Sequence, residues 1–350
     1  MTVKVSKPAI NVREELADLR KPTGVAGEAM LRAETPQEQF NLIGAGRRNW
    51  IINGSAQISQ RGDYTSATSM SVNNYYIDRW KAYASGGTNT IQQVTSSQPS
   101  ALAGSKSVKI LSSSGGTIAL GASQIIEDYQ FFVGKELTVS GWMKSTNPNA
   151  RFLVSDNSAW NAVGDAHSGS GSWEFITGTI TLSSSATGLT LSPRIASSSA
   201  GAVSVSANDY IEFTGVQLEL GKVATPFEHR SYGEELALCL RYYYRLYKTQ
   251  AFQNIGSASM FDANNVYVTY QWPVVMRANP TVSLSSASDF NVTGNGADLA
   301  ATGYSVGHAS PFNVQINFNR SGLTNGYAYW VRMASGGADA SKFLQADAEL

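Results

Sequence analysis

The 350-residue sequence is short of the features that define several protein classes. Cys239 is its single cysteine, so no intrachain disulfide can form, and a secreted domain held together by disulfides is excluded. The apolar context LALCL around Cys239 indicates a core position. The longest apolar runs have the length of strands, and the N-terminus lacks the apolar segment of a signal peptide. We therefore expect a soluble protein that is made in the cytoplasm and does not insert into a membrane.

An excess of charge of either sign is also missing. The 26 Lys and Arg residues balance 26 Asp and Glu residues, so nothing indicates the basic surface that nucleic acids or anionic membranes require. Histidine is scarce, and no histidine has a cysteine or carboxylate at the spacing of metal ligands. These scattered positions are His167, His229 and His308. We therefore predict neither a metal site nor a cofactor.

Support for catalysis is equally thin. The glycines near lysine lack the spacing of a phosphate-binding loop, and no strand-to-helix nucleophile motif surrounds any serine. Two adjacent acid pairs, Glu127/Asp128 and Glu234/Glu235, leave a glycan-cleaving pair of carboxylates open. We predict that the protein is not an enzyme.

What the sequence has in abundance is Ser, Thr, Gly and Asn between short apolar runs, which is typical of β-structure. The predicted fold is mainly β, with an N-terminal arm of short helices, a jelly-roll or β-sandwich domain, one Tyr-rich helix and a C-terminal β-domain. The predicted boundaries are 1–49 for the arm, 50–230 for the sandwich, 231–248 for the connecting helix and 249–350 for the last domain.

The arm carries two capped helix signals but too few apolar residues for a core of its own. The first helix places Val12, Leu16 and Leu19 on one face, and so short a helix needs a partner in water. We interpret the arm as a segment for docking or oligomerisation, and a solvated linker is the alternative. Its second helix contributes Phe40, Leu42 and Ile43.

Two strands with strict alternation stand out in the sandwich region. LTVSGWMKS places Leu137, Val139 and Met143 on one face and Trp142 on the other, among hydroxyl residues. SWEFITGTITL repeats this arrangement, with Trp173 and Phe175 on the face that carries threonines. The later strand DYIEFTGVQLELG shifts its pattern near its central glycine, which predicts a β-bulge there.

The segment EELALCLRYYYRLYK predicts the connecting helix. Ser231 and Glu234 form a capping box, and Leu236, Leu240 and Tyr243 follow at helical spacing, with Tyr247 after them. Tyrosines suit half-buried interfaces, so we interpret this aromatic face as packing between domains or subunits.

Three tryptophans lie close to hydroxyl, amide or carboxylate residues instead of inside apolar runs. Trp142, Trp160 and Trp173 with Asp156 and Asn157 could together supply the aromatic faces and polar groups that sugar binding needs. Trp160 is assigned to a loop, SDNSAWNAVGD. The alternative is that Trp142 and Trp173 cover the edge of the sandwich or contact a neighbouring subunit. The carboxylate and amide of the loop fit no standard calcium site and suit a turn.

Several stretches resemble structural proteins of tailed bacteriophages, particularly phages of cyanobacteria. The N-terminal resemblance runs from AINVREELADLRKPTGVAGEAMLRAE to IINGSAQISQRG, and later motifs, YYIDRW, GVQLELG and ATPFE, are similar to a sandwich domain of phage fibres that is related to carbohydrate-binding modules. The resemblance implies a virion fibre subunit, on the tail or the head, that assembles in the bacterial cytoplasm.

As implied partners we expect other virion proteins, contacted through the arm, and a host surface polysaccharide. Because fibres gain avidity from several copies and the arm helix is too short to be buried alone, we predict a homotrimer. A capsid-attached fibre or decoration protein without a receptor remains open. A glycan-degrading tailspike is a further alternative, which the lack of any repeat of 20 to 50 residues disfavours.

Overall fold

The computed structural model describes residues 48–350, and these residues form antiparallel β-sheets with a single α-helix, which confirms the predicted mainly β fold. No helix within this range is long and apolar enough to cross a bilayer. The docking candidates of the arm lie outside the described residues. They are Val12, Leu16, Leu19, Phe40, Leu42 and Ile43.

Thirteen strands precede the helix. They are β1 (Thr68–Ser69), β2 (Lys81–Ala84), β3 (Asn89–Val94), β4 (Ser107–Ser112), β5 (Gly116–Ile118), β6 (Leu120–Ile125), β7 (Glu136–Ser145), β8 (Ala150–Ser155), β9 (Trp160–Val163), β10 (Trp173–Thr181), β11 (Thr190–Ile195), β12 (Val203–Val205) and β13 (Tyr210–Leu220). Short 3₁₀ turns at Ser100–Leu102 and Tyr129–Phe132 interrupt the loops between them.

The helix and ten further strands follow. They are α1 (Tyr232–Leu240), β14 (Tyr243–Lys248), β15 (Asn254–Asp262), β16 (Asn265–Gln271), β17 (Thr281–Leu284), β18 (Phe290–Gly294), β19 (Ala297–Ala300), β20 (Gly303–Ala309), β21 (Asn313–Asn319), β22 (Tyr329–Met333) and β23 (Asp339–Asp347). A 3₁₀ turn at Ala287–Asp289 precedes β18.

The first sandwich consists of a six-stranded and a five-stranded sheet. The six-stranded sheet has the order β1-β3-β4-β13-β7-β10, and the five-stranded sheet has the order β2-β6-β11-β8-β9. One apolar cluster, which includes Trp80, Phe152 and Phe213, fills the space between them. Each sheet therefore has an inner face in this core and an outer face directed away from it.

The predicted alternation of β7 and β10 is confirmed. Leu137, Val139 and Met143 are fully buried in the core, whereas Trp142 is half-buried on the outer face of the six-stranded sheet. The predicted bulge in β13 is also present, because the pairing register with β7 shifts where Gly215 adopts a φ of 60°.

The second sandwich has its own core. A seven-stranded sheet, β19-β18-β22-β15-β16-β21-β20, faces the three-stranded sheet β14-β23-β17. Phe290 and Phe318 lie fully buried in this second cluster, with ring centroids 5.4 Å apart. The boundaries predicted for the domains stay a prediction.

The predicted connecting helix over 231–248 is wrong in its second half. The capping box of Ser231 and Glu234 forms as expected, but α1 ends at Leu240. The following Tyr243–Lys248 is strand β14, which pairs with β23 and belongs to the second sandwich. Aromatic residues favour strands, and the partner strand lies about a hundred residues further along the chain, where no local pattern reveals it.

Helix α1 lies in a third, small cluster that connects the two sandwiches. Cys239 is buried there as predicted, with Ile52 and Ile58 of the first sandwich and Leu350 near the second. Next to this cluster, the buried guanidinium of Arg79 forms an ion pair with Glu349. It also stacks 3.6 Å above the ring of Tyr242.

Candidate functional site

The outer face of the six-stranded sheet carries three adjacent aromatic side chains. Phe175 lies directly opposite Trp142 across the β7–β10 pair, with ring centroids 5.5 Å apart, and Trp173 lies at the start of β10. Phe175 is 48 % exposed, and both tryptophans are half-buried. We call Trp142, Trp173 and Phe175 the aromatic patch.

Charged side chains border the aromatic patch because strand pairing aligns them in one row. Trp173 is opposite Lys144, Lys144 is opposite Glu212, and Glu212 is opposite Lys109. Directly paired residues point to the same side of a sheet, so this row crosses the outer face beside the rings. The ammonium of Lys144 is 6.0 Å from the ring centroid of Trp173, and that of Lys109 is 4.3 Å from the ring centroid of Tyr210.

Glu212 is the most enclosed member of the row, with only 4 % exposure. Its carboxylate accepts a hydrogen bond of 2.6 Å from the hydroxyl of Ser107, which lies on the adjacent strand β4. In the part of the chain that the structure describes, Glu212 forms no ion pair with either flanking lysine. A carboxylate with hydrogen-bonding capacity thus lies next to two cationic groups that can donate.

One loop forms a wall beside the patch. The indole N–H of Trp173 donates to the carbonyl of Ser97 at 2.8 Å, which fixes the loop to β10. Further along the loop, Leu102 packs over the bulge, where a Cβ on Gly215 would lie 2.3 Å from its Cδ1 and 3.6 Å from Cδ1 of Trp142. The glycine therefore lets the loop approach the sheet and border the aromatic patch on one side.

This arrangement suits a sugar ring better than a purely apolar ligand. Aromatic faces stack on the C–H groups of a sugar, while lysine and glutamate side chains can hydrogen-bond to its hydroxyls. The patch also suits contact with another protein chain, because half-exposed aromatics are enriched in interfaces.

The structure separates the residues that the sequence suggested as one site. Trp160 was assigned to a loop, but it is the first residue of β9 in the five-stranded sheet, half-buried on the outer face opposite to the aromatic patch. Its neighbours on that face include Tyr83 and Arg194, whose guanidinium carbon is 4.4 Å from the Trp160 ring centroid. Trp142 and Trp173 thus share a surface, and Trp160 lies on another.

Asp156 and Asn157 form the turn between β8 and β9. The Asp156 carboxylate accepts hydrogen bonds from the hydroxyl and backbone N–H of Ser158 and from the N–H of Ala159, at 2.7 to 2.9 Å. The Ser158 hydroxyl in particular lowers the pKa of Asp156. Asn157 adopts a φ of 71°, a conformation that asparagine tolerates in turns. Both side chains therefore have a structural explanation.

A cleft of about 380 Å³ opens beside this turn, between the edge strands β9 and β10. Its walls contain no aromatic side chain, so it offers no stacking surface for a sugar. The lining residues are Val154, Asp156, Asn161, Ala162, Ile180, Thr181, Leu182 and Ser183.

The titratable groups considered for catalysis have structural partners. Glu127 accepts hydrogen bonds from Arg241 at 2.7 Å and from the hydroxyl of Tyr242 at 2.8 Å, while Glu234 caps α1. His167 is buried, with Nε2 2.9 Å from the carbonyl of Ser172. Within residues 48–350, no three His, Cys, Asp or Glu side chains lie close enough together to hold a metal ion.

Sequence reasoning did not include Phe175, Lys144 or Glu212 in the site. The alternation of β10 did place Phe175 on the tryptophan face, so a signal for it was present. The alignment of Lys144 with Glu212 had no signal in the sequence, because it depends on the register between strands that are about seventy residues apart.

The comparisons with known proteins identify no family. No family model matches the sequence, and no significant match to a curated protein was found. Among solved structures, the CBM22-1 xylan-binding domain of Paenibacillus barcinonensis Xyn10C is 16 % identical and matches 47 % of this chain and 99 % of its own, at a TM-score of 0.29. The family 11 carbohydrate-binding module of Clostridium thermocellum Lic26A-Cel5E is 13 % identical and matches 48 % of this chain and 99 % of its own, at a TM-score of 0.26. Likenesses with TM-scores this low carry no argument about function.

Proposed function

We propose that this protein binds a hydroxyl-rich polysaccharide through the aromatic patch, without catalysing a reaction on it. The observation that carries the proposal is the placement of Trp142, Trp173 and Phe175 on one outer sheet face, beside the row of Lys144 and Glu212. Rings for stacking and groups for hydrogen bonding are then within reach of one sugar chain. Glycan-cleaving enzymes need two carboxyl groups on either side of the bond, whereas the row that borders the aromatic patch contains one carboxylate, that of Glu212.

The expected affinity of one site is low. Stacking a sugar on one or two rings on an open face gives a dissociation constant in the range of about 10⁻⁵ to 10⁻³ M. Useful adhesion then requires several linked copies, since the effective local concentration of a second site strengthens overall binding.

The aromatic patch can be tested with Phe175→Ala and Trp173→Ala. We expect each variant to weaken retention by at least fivefold in affinity electrophoresis against soluble, uncharged polysaccharides such as β-glucan, xylan, mannan and galactan. Phe312→Ala is the matched control, because Phe312 is 63 % exposed in the second sandwich, away from the patch. Thermal unfolding of Phe175→Ala and Phe312→Ala should stay near that of the unmodified protein, since exposed aromatics contribute little to stability. Trp173→Ala also removes the hydrogen bond to Ser97, so a modest decrease in its unfolding temperature is expected.

Two results would count against glycan binding at the patch. One is the absence of retention by any member of the polysaccharide panel. The other is retention that the control weakens as much as the patch variants do. If instead Phe175→Ala converts an oligomer into monomers, the patch is a subunit contact.

We further propose that the chain is a fibre subunit of a bacteriophage virion, located on the tail or the head and assembled in the host cytoplasm. Support comes from the resemblance of the N-terminal segment to phage structural proteins and from the sandwich that follows it. In this role, the arm over 1–49 would attach a homotrimer to other virion proteins, and the aromatic patch would contact host surface polysaccharide.

The attachment role can be tested by deleting residues 1–48. The remaining residues 49–350 form a compact unit, so we expect a folded β-protein that fails to assemble onto virions. Sedimentation should show a trimer for the full chain at micromolar concentration. Normal incorporation of the shortened chain would contradict the docking role, and a purely monomeric full chain would contradict the trimer.

A further inference from the structure

The outer face of the five-stranded sheet holds a buried arginine between two aromatic rings. The guanidinium carbon of Arg194 is 3.8 Å from the ring centroid of Tyr83 and 4.4 Å from that of Trp160. Only 5 % of Arg194 is exposed, and its Nε donates a hydrogen bond of 2.6 Å to the hydroxyl of Ser192. The side chain crosses the backbone of Gly121, where an added Cβ would lie 2.8 Å from Cγ of Arg194.

The charge of Arg194 has no carboxylate partner in residues 48–350. Burial lowers its pKa to about 10, with Tyr83 offsetting part of the effect, so the guanidinium still carries its charge at neutral pH. Buried charges are normally paired, because an isolated charge is costly to remove from water. Three other stacked arginines, Arg61, Arg79 and Arg332, pair with a carboxylate, as Arg332 does with Asp298 at 2.9 Å. A fourth, Arg245, instead donates to the backbone carbonyls of Arg61 and Ala340.

A second arginine increases the positive charge of this face. Arg151 on β8 lies directly opposite Arg194 on β11, and it too has no ion pair among the residues described. Like charges in direct cross-strand positions destabilise a sheet. The Nε of Arg151 donates to the carbonyl of Asn149, whereas that of Arg194 donates to Ser192, so the two side chains extend towards opposite ends of the strand pair. Neither has an acid partner among the described residues, so this surface is complementary to an extended anionic ligand from outside the chain.

We propose that Arg194, flanked by Tyr83 and Trp160, and Arg151 on the neighbouring strand bind the anionic groups of an acidic glycan. A carboxylate or a sulfate ester on a sugar matches this surface, because arginine binds planar and tetrahedral oxyanions through paired hydrogen bonds. The aromatic rings supply contact for the sugar that bears the group. A nucleic acid is disfavoured, since a phosphate backbone needs a long basic track and the strands of this face carry only Lys81 besides the two arginines.

This site is independent of the aromatic patch, which lies on the opposite outer face of the sandwich. The probes are oligomers of galacturonic acid, a sulfated galactan fragment of similar length, and the uncharged galactan as reference, each titrated calorimetrically. We expect the acidic oligomers to bind at least tenfold more tightly than the uncharged one at low salt. Their affinity should fall as salt is added, because the contact is ionic.

Arg194→Met and Arg151→Gln identify the residues responsible. Methionine keeps the apolar contact with both rings, so the fold should persist, and each variant should lose at least fivefold in affinity for the acidic oligomers. Arg332→Met is the matched control, a stacked arginine that already has its carboxylate, and it should bind as the unmodified protein does. Phe175→Ala should likewise leave acidic binding intact, which separates this test from that of the aromatic patch.

The site is supported if either acidic oligomer binds and this binding depends on Arg194. Which of the two oligomers binds more tightly then shows whether the site prefers a carboxylate or a sulfate ester. Equal affinity for charged and uncharged galactan would overturn the proposal. So would full affinity in a folded Arg194→Met variant whose companion Arg151→Gln also binds normally.

Discussion

At the scale of single residues, the most unusual environment is that of Asp78. The side chain is fully buried, and burial raises its pKa to about 6. The backbone N–H and the side-chain amide of Gln60 both donate to the Asp78 carboxylate, which offsets part of the cost of burying its charge. A structural role explains this residue, because the same Gln60 amide also donates to the carbonyl of Tyr243 at 2.9 Å in the second sandwich.

The raised pKa of Asp78 predicts a pH dependence of stability. Its folded-state value lies above the unfolded value of about 3.9, so the folded protein holds the proton more tightly, and stability grows as pH falls through 6 towards 4. Relative to Asp78→Asn, which cannot titrate, the unmodified protein should gain roughly 2 kcal/mol between pH 7 and pH 4. Urea unfolding of both proteins at each pH measures this difference. A difference that stays constant with pH would mean that the pKa of Asp78 is not raised.

Single residues also show how far sequence reasoning reaches. The positions of Leu137 and Trp142 on opposite faces followed from alternation, because the period of a strand is local. The isolation of Arg194 did not follow, since it depends on which side chains lie across from it on β6 and β8. Trp160 was assigned to a loop because the residues before it are polar turn residues, and the sequence pattern did not indicate that a strand begins at Trp160.

At the scale of elements, the bulge in β13 determines how the loop borders the aromatic patch. Gly215 has a φ of 60°, which costs other residues about 1 kcal/mol or more, and its missing side chain leaves room for Leu102. Gly215→Ala should therefore lower the free energy of unfolding by roughly 1–3 kcal/mol. It should also weaken polysaccharide binding, because Leu102 must move against Trp142.

A double-mutant cycle with Leu102→Ala separates strain from steric overlap. The shorter side chain removes the overlap, so the double variant should be more stable than the sum of the two single changes predicts. Additive effects would show that only the backbone conformation of Gly215 matters.

The second half of the helix predicted over 231–248 is a strand, and it was misassigned because two periodicities fit the same residues. In YYYRLYK, tyrosines recur at helical spacing and also alternate as in a strand, so the local pattern favours neither. Pairing with β23 decides the outcome, with Tyr244 opposite Ala346 and Leu246 opposite Leu344. The hydroxyl of Tyr243 further donates to Gln345 on β23 at 2.8 Å. These contacts span about a hundred residues and are invisible to a local reading of the sequence.

At the scale of the whole molecule, the two large hydrophobic cores of the described chain are joined by the small apolar cluster around α1 and by polar contacts. Arg61 pairs with Asp347 at 2.8 Å and stacks 3.6 Å above the ring of Tyr243, while Arg79 pairs with Glu349. Each contact brings a cation of the first sandwich to an anion or ring of the chain that follows α1. The Arg79–Glu349 pair is buried, and breaking such a pair costs about 3–5 kcal/mol when one partner remains without its counter-charge.

The buried pair of Arg79 and Glu349 predicts that the two sandwiches unfold together. Arg79 is 1 % exposed and contacts both Glu349 and Tyr242, so unfolding either core exposes an unpaired charge in the other. Calorimetry should then show a single heat-absorption peak for the unmodified protein. Arg79→Met should split this peak in two, because it removes the charge that couples the cores while keeping an apolar side chain near Tyr242. The control is Lys222→Gln, which removes an exposed ion pair with Glu136 and should leave a single peak. A single peak in Arg79→Met would contradict the prediction and show that the small cluster around α1 is sufficient to couple the sandwiches.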